Sequence, residues 1–170
     1  MLPRFPLYVP TKGRWAKRLT SNALTEQGVP HYLVVEPQEV ESYERAARGT
    51  LATVLPLDMA YKGRYELCDD IGLTKSTGPG PARNFIWDHS IANGHAWHWV
   101  MDDNIYRFDR LHTNKKIACR TPAFWRAQED FVLRYSNVAM AGPNYSMFAY
   151  EADSSTIKPF VTNTRIYSCN

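Results

Sequence analysis

At 170 residues, with 44% hydrophobic and 22% charged residues, the chain has the size and composition of one soluble globular domain with a substantial core. Its net charge of +3 is too small by itself to argue for nucleic acid; no apolar run approaches a membrane span, and the N-terminus lacks a signal-peptide pattern. Cys68, Cys119 and Cys169 are odd in number, widely spaced and without a CxxC pair, which argues against a disulfide framework or a zinc knuckle and fits the reducing cytoplasm.

In chain order, Pro6-Leu7-Tyr8-Val9 predicts a first strand, closed by the turn Pro10-Thr11-Lys12-Gly13-Arg14. Trp15, Leu19 and Ala23 recur at i, i+4 and predict a helix ended by Gly28. Tyr32 to Val35 is a second strand, running into Glu36-Pro37. Val40, Tyr43 and Ala47 mark the inner face of a second helix, and Leu51 to Leu57 a third strand interrupted late by Pro56. Strands alternating with helices indicate βαβ units and a parallel sheet.

Residues 58–80 form a long connection ending in a glycine-rich run, Gly72 to Gly80, which matches neither the Walker nor the dinucleotide pattern. Pro81 suits the first turn of a helix running to Asn93-Gly94, with Ala82, Phe85, Ile86 and His89 inward. A glycine-rich loop entering a helix N-terminus can bind phosphate. Next comes Trp97-His98-Trp99-Val100-Met101, a strand expected to be buried on both faces, which breaks into Asp102-Asp103-Asn104. Adjacent carboxylates repel each other, and a hard dication would supply the missing charge; the alternative is that Asp102 and Asn104 merely close a turn. Open α/β sheets bind ligands at the carboxyl ends of their strands, so Pro10 to Arg14, Glu36 and Asp102 to Asn104 are expected to converge on one crevice.

Downstream, Ile105 to Phe108 reads as a short strand or hairpin arm. Thr121-Pro122 opens a helix with Phe124, Ala127, Phe131 and Tyr135 inward, and Val138 to Ala141, Tyr145 to Tyr150 and Phe160 to Tyr167 read as later strands. Tyr145, Phe148 and Tyr150 suit either base stacking or a core. His95 and His98, three apart on a strand, point to opposite faces and do not suggest a shared metal. Two segments are basic: residues 1–25, which contain no acid, and Arg107 to Arg120, where Asp109 is the one acid; both suit an anionic partner or a solvated surface.

The ordered blocks Val9-Pro10-Thr11-Lys12-Gly13-Arg14, Val34-Val35-Glu36-Pro37, Gly78-Pro79-Gly80-Pro81-Ala82-Arg83-Asn84 and Met101-Asp102-Asp103-Asn104 resemble a glycosyltransferase of the GT-A fold. More narrowly, they resemble the phage-encoded TET-associated glycosyltransferases, thought to glycosylate oxidised methyl groups on DNA bases such as 5-hydroxymethylcytosine. The resemblance covers the whole chain. It implies a single Rossmann-like GT-A domain over 1–170, a mainly parallel twisted sheet flanked by helices, with residues 1–104 binding the nucleotide sugar and 105–170 beginning the acceptor side.

It further implies a UDP-sugar donor, a modified-DNA acceptor, Mn²⁺ or Mg²⁺ on the DxD-like Asp102, Asp103 and Asn104, no membrane partner, and action in the cytoplasm of a phage host. Asp102 and Asp103 would also meet the nucleotide sugar. Pro10, Thr11 and Arg14 would line the nucleotide pocket, Glu36 would accept from base or ribose, and Arg83 would reach the phosphate or sugar. Other acceptors, polysaccharide or protein, and a non-catalytic nucleotide- or DNA-binding module are the alternatives. The family carries an acidic Glu-Asp element after the segment where this chain ends. The expectation is therefore a truncated chain, a compact member using other groups, or a donor-binding half needing a partner. No catalytic base is assigned, Glu151 and Asp153 reading as loop acids. Neither the sugar, its anomeric outcome nor the oligomeric state is encoded in these motifs.

Overall fold

The computed structural model describes residues 1–65, 78–113 and 115–144. Four parallel strands, β1 (Leu7–Pro10), β2 (His31–Val35), β3 (Ala52–Pro56) and β4 (Trp99–Val100), form one sheet in the order β3-β2-β1-β4. Period-2 alternation sends successive side chains to opposite faces. Leu7, Val9, Leu33 and Val35 enter one core with Ala23, Leu24, Tyr43, Met101, Phe108 and Trp125, whereas Tyr8 and Val34 enter a second with Leu57 and Ile86. Helices α1 (Leu19–Glu26), α2 (Val40–Ala47) and α5 (Ala123–Val132) contribute to the first core and α4 (Gly80–Ala92) to the second. The expected α/β class, a parallel sheet flanked by helices, is what forms.

Local chemistry explains the boundaries. Helix α1 ends in a full glycine cap: Gly28, at φ 73°, donates to the Thr25 carbonyl at 3.0 Å, and Val29 to that of Leu24 at 2.9 Å. Pro56 is tolerated because β3 is an outer strand of the four. Helix α2 buries Tyr43 and Ala47 as expected. Helix α4 buries Ile86 and packs Ala82 and Phe85 against its core, also as expected, and adds Ser90. Gly80 lies against the Tyr65 ring, and a Cβ there would push that side chain aside. The short helix α3 (Ala60–Gly63) falls in the connection read as irregular.

Five expectations are corrected. Helix α1 begins only at Leu19, leaving Trp15 in a turn and exposed; its inner face is Thr20, Ser21, Ala23 and Leu24, because Arg18 adopts a left-handed conformation (φ 36°) that breaks any earlier helix. Strand β4 is two residues long, and Trp97 to Val100 are half-buried, because among the described strands only β1 lies beside it.

Ile105 to Phe108 is not a strand: Phe108 drops into the core, and the hairpin forms later as β5 (Asp109–His112) and β6 (Lys115–Ala118). Helix α5 turns Trp125 and Glu129 inward and leaves Phe131 and Tyr135 exposed, because Glu129 is the acceptor for three donors of the N-terminal segment and β4. Val138 to Ala141 makes no strand, finding no ladder partner among the described residues. Tyr145 to Tyr150, Phe160 to Tyr167, Glu151, Asp153 and most of the Gly72 to Gly80 run lie outside the described residues.

Candidate active site

In the order β3-β2-β1-β4 the chain steps outward from β1 on one side and then returns to its other side. The topological switch therefore lies between β1 and β4, and ligands of open α/β sheets bind past the carboxyl ends of the strands at such a point. Thr11 follows β1 directly and Asp102 lies two residues beyond β4.

The two loops are joined by a directed chain of hydrogen bonds. Thr11 Oγ1 donates to Asp103 Oδ2 at 2.8 Å, so the Tyr43 hydroxyl, 2.9 Å from Thr11 Oγ1, must donate to it. Tyr43 in turn accepts the Arg14 amide at 3.0 Å, and the Arg14 guanidinium closes the ring on Asp103 Oδ1 at 2.7 Å. Tyr43 is fully buried, and that burial, the largest influence on it, pushes its pKa up and keeps the hydroxyl protonated for this role. Beneath the acids, Thr20 of α1 donates to the Asp102 carbonyl at 2.6 Å and accepts the Ile105 amide at 2.9 Å, fixing the turn. Arg83, in the first turn of α4, reaches Asp102 Oδ1 at 2.9 Å.

Glu36, at the end of β2, forms a second cluster. Its Oε1 accepts Lys12 at 2.8 Å and also Lys62 of α3, and its Oε2 accepts Gln38 at 2.6 Å. Burial alone would raise its pKa, but the donors from Lys12, Lys62 and Gln38 outweigh it and hold the carboxyl down at about 2. Nearby, Glu39 Oε1 accepts the Gly13 amide at 2.8 Å, fastening the same loop.

Of the residues singled out from sequence, Thr11, Arg14 and Asp103 meet in one network, and Arg83 meets Asp102. Glu36 holds Lys12 of the Pro10 to Arg14 turn, Pro10 ends β1, and Asn104 lies exposed beside the acids. Sequence reading placed Tyr43 only on the inner face of its helix and passed over Thr20, Gln38 and Lys62, for which no spacing signal existed. A cavity of about 300 Å³ opens at the opposite, amino-terminal edge of the sheet between Phe5, Pro30, His31 and Thr53, and no carboxylate lines it. His31 there is spoken for, its ring nitrogens 2.9 Å from the Val29 carbonyl and 2.8 Å from Ser21 Oγ.

Whether the acids suit a divalent cation turns on what their oxygens already do. Both Asp103 oxygens accept hydrogen bonds that brace the β1 loop. Asp102 is more open, with 42% of its side chain exposed against 19% for Asp103. Among the described residues no group of three His, Cys, Asp or Glu side chains could hold a metal by itself. One or two carboxylates, completed by phosphate oxygens and water, are nonetheless the usual way a hard dication binds with a nucleotide. The donor set fits that mode.

Compared with known families, residues 5–170 match the family described as TET-Associated Glycosyltransferase. The chain belongs to that family, and with it to the glycosyltransferases. No curated protein and no solved structure matches it. Among the described residues, no helix is long and apolar enough to cross a membrane.

Proposed function

We propose that this family member moves a sugar from a UDP-linked donor to the hydroxyl of 5-hydroxymethylcytosine in DNA, in the cytoplasm of a phage-infected host. The observation that carries the reading is the pairing of adjacent acids with two arginines at the switch point of a parallel sheet: Asp102 with Arg83 and Asp103 with Arg14. A diphosphate leaving group needs positive charge around it, and an arginine fork suits phosphate by bonding it bidentately. Arg83 and Arg14 serve the diphosphate; Pro10 and Thr11 line the nucleotide pocket. Glu36 meets the base or ribose and sets Lys12 and Lys62 beside it. Asp102 and Asn104 would hold Mn²⁺ or Mg²⁺, with Asp103 joining only if it released Thr11 or Arg14. A bound dication would neutralise the departing diphosphate as a Lewis acid.

The test is to incubate hydroxymethylated duplex DNA with a panel of UDP-sugars, with and without Mn²⁺, and to weigh the digested nucleosides. A sugar mass on hydroxymethyldeoxycytidine that requires Mn²⁺ is expected. Transfer without any metal would remove the cation from the proposal. No added mass with any donor would overturn it and favour a binding module.

A further inference from the structure

The hairpin that follows the acidic turn has two unlike faces. Its register pairs Arg110 with Ile117 and His112 with Lys115 on one face, and Asp109 with Ala118 and Leu111 with Lys116 on the other. Every residue of the first face is exposed, and every residue of the second is half-buried. The outward face thus presents Arg110, His112 and Lys115 around Ile117, with no carboxylate among them; the exposed Arg120 flanks its base, and Arg107 beside it pairs with Asp109 at 3.0 Å.

The ribbon is anchored. Phe108, just before β5, is buried against Phe124 and Trp125, with ring centroids 6.0 and 4.8 Å away. The Cys119 amide donates to the Phe108 carbonyl at 2.9 Å, and Gln27 Nε2 to the Cys119 carbonyl at 2.7 Å. A fixed, two-stranded basic ribbon rising a few residues beyond Asp102 and Asp103 matches the charge of a nucleic-acid backbone, and a ribbon of this width fits the major groove of a duplex.

We infer that the outward face of β5–β6 is the surface that grips the duplex carrying the acceptor base, with Arg110 and Lys115 on phosphates. This rests on the DNA reading above. Duplex binding, followed by fluorescence anisotropy between 50 and 200 mM salt (about the range over which phosphate contacts show), is compared for wild type and the double variant Arg110→Ser/Lys115→Ser. Each phosphate contact steepens the log K against log salt slope by about 0.9, so the variant's slope should be shallower by about 1.8. Its thermal midpoint should not move, and in sugar transfer its KM for DNA should rise while kcat at saturating DNA is kept. If wild type binds and modifies DNA and the variant's slope is unchanged, the surface lies elsewhere and the DNA reading stands. If wild type binds no duplex even at the lowest salt, the acceptor reading and this surface fall together.

Discussion

Replacing Glu36 by Gln keeps the shape of the side chain and removes the charge that Lys12 and Lys62 share. The carboxyl is held at about 2 against an ordinary 4.5. At about 1.4 kcal/mol per tenfold change in proton affinity, that corresponds to about 3 kcal/mol of native stability at neutral pH. Lys12 is 65% exposed, so its share is screened and worth under about 1 kcal/mol; Lys62, at 22%, and Gln38 carry the remainder. The sign follows from the lowered folded value. Between 4.5 and about 2 the unfolded chain binds the proton that the folded chain does not, so this stability is complete above pH 4.5 and drains away as the pH falls towards 2. Urea unfolding of wild type and Glu36→Gln at a series of pH values reads it directly. The wild-type advantage should be full at pH 7 and shrink steadily through the acid window. An advantage that stays constant across that window would refute an electrostatic origin and leave only packing.

Three further outcomes are expected. Asp102→Ala should weaken UDP binding, measured by calorimetry, far more with Mn²⁺ present than without; an equal loss in both would separate Asp102 from the cation. Glu129→Ala strands the Arg4 and Phe5 amides and the Trp99 indole, now bonded at 2.7, 3.2 and 2.9 Å, and should cost about 3 kcal/mol in urea unfolding. A loss within experimental error would mean that water takes the place of the carboxylate. Gly28→Ala forces a Cβ onto a residue at φ 73° and should cost about 1 kcal/mol, whereas an unchanged unfolding midpoint would show that the cap relaxes freely.

Strands β1 to β3, the end of α1, α2 and α4 are legible in the residues because strand and helix signals are local: an apolar run in Leu7-Tyr8-Val9, i, i+3 and i+4 spacing in Val40, Tyr43 and Ala47, a terminating Gly28. The meeting of the Thr11 to Arg14 loop with the acidic turn was also readable, since right-handed βαβ connections bring the carboxyl ends of parallel strands to one rim. Helix α5 shows where such reading stops. Its apolar pattern favours Phe131 and Tyr135, yet the buried stripe holds Glu129, a choice made by distant donors: the Arg4 and Phe5 amides, 125 and 124 residues away in sequence, and the Trp99 indole, 30 away. Sequence alone therefore determined β1 to β3, α2 and α4, and which rim gathers the chemistry. Tertiary structure decided which cation sits on which carboxylate, Lys62 on Glu36 and Arg14 on Asp103. An ion pair between distant segments leaves no periodic trace in either, because its energy depends on a separation that only folding sets.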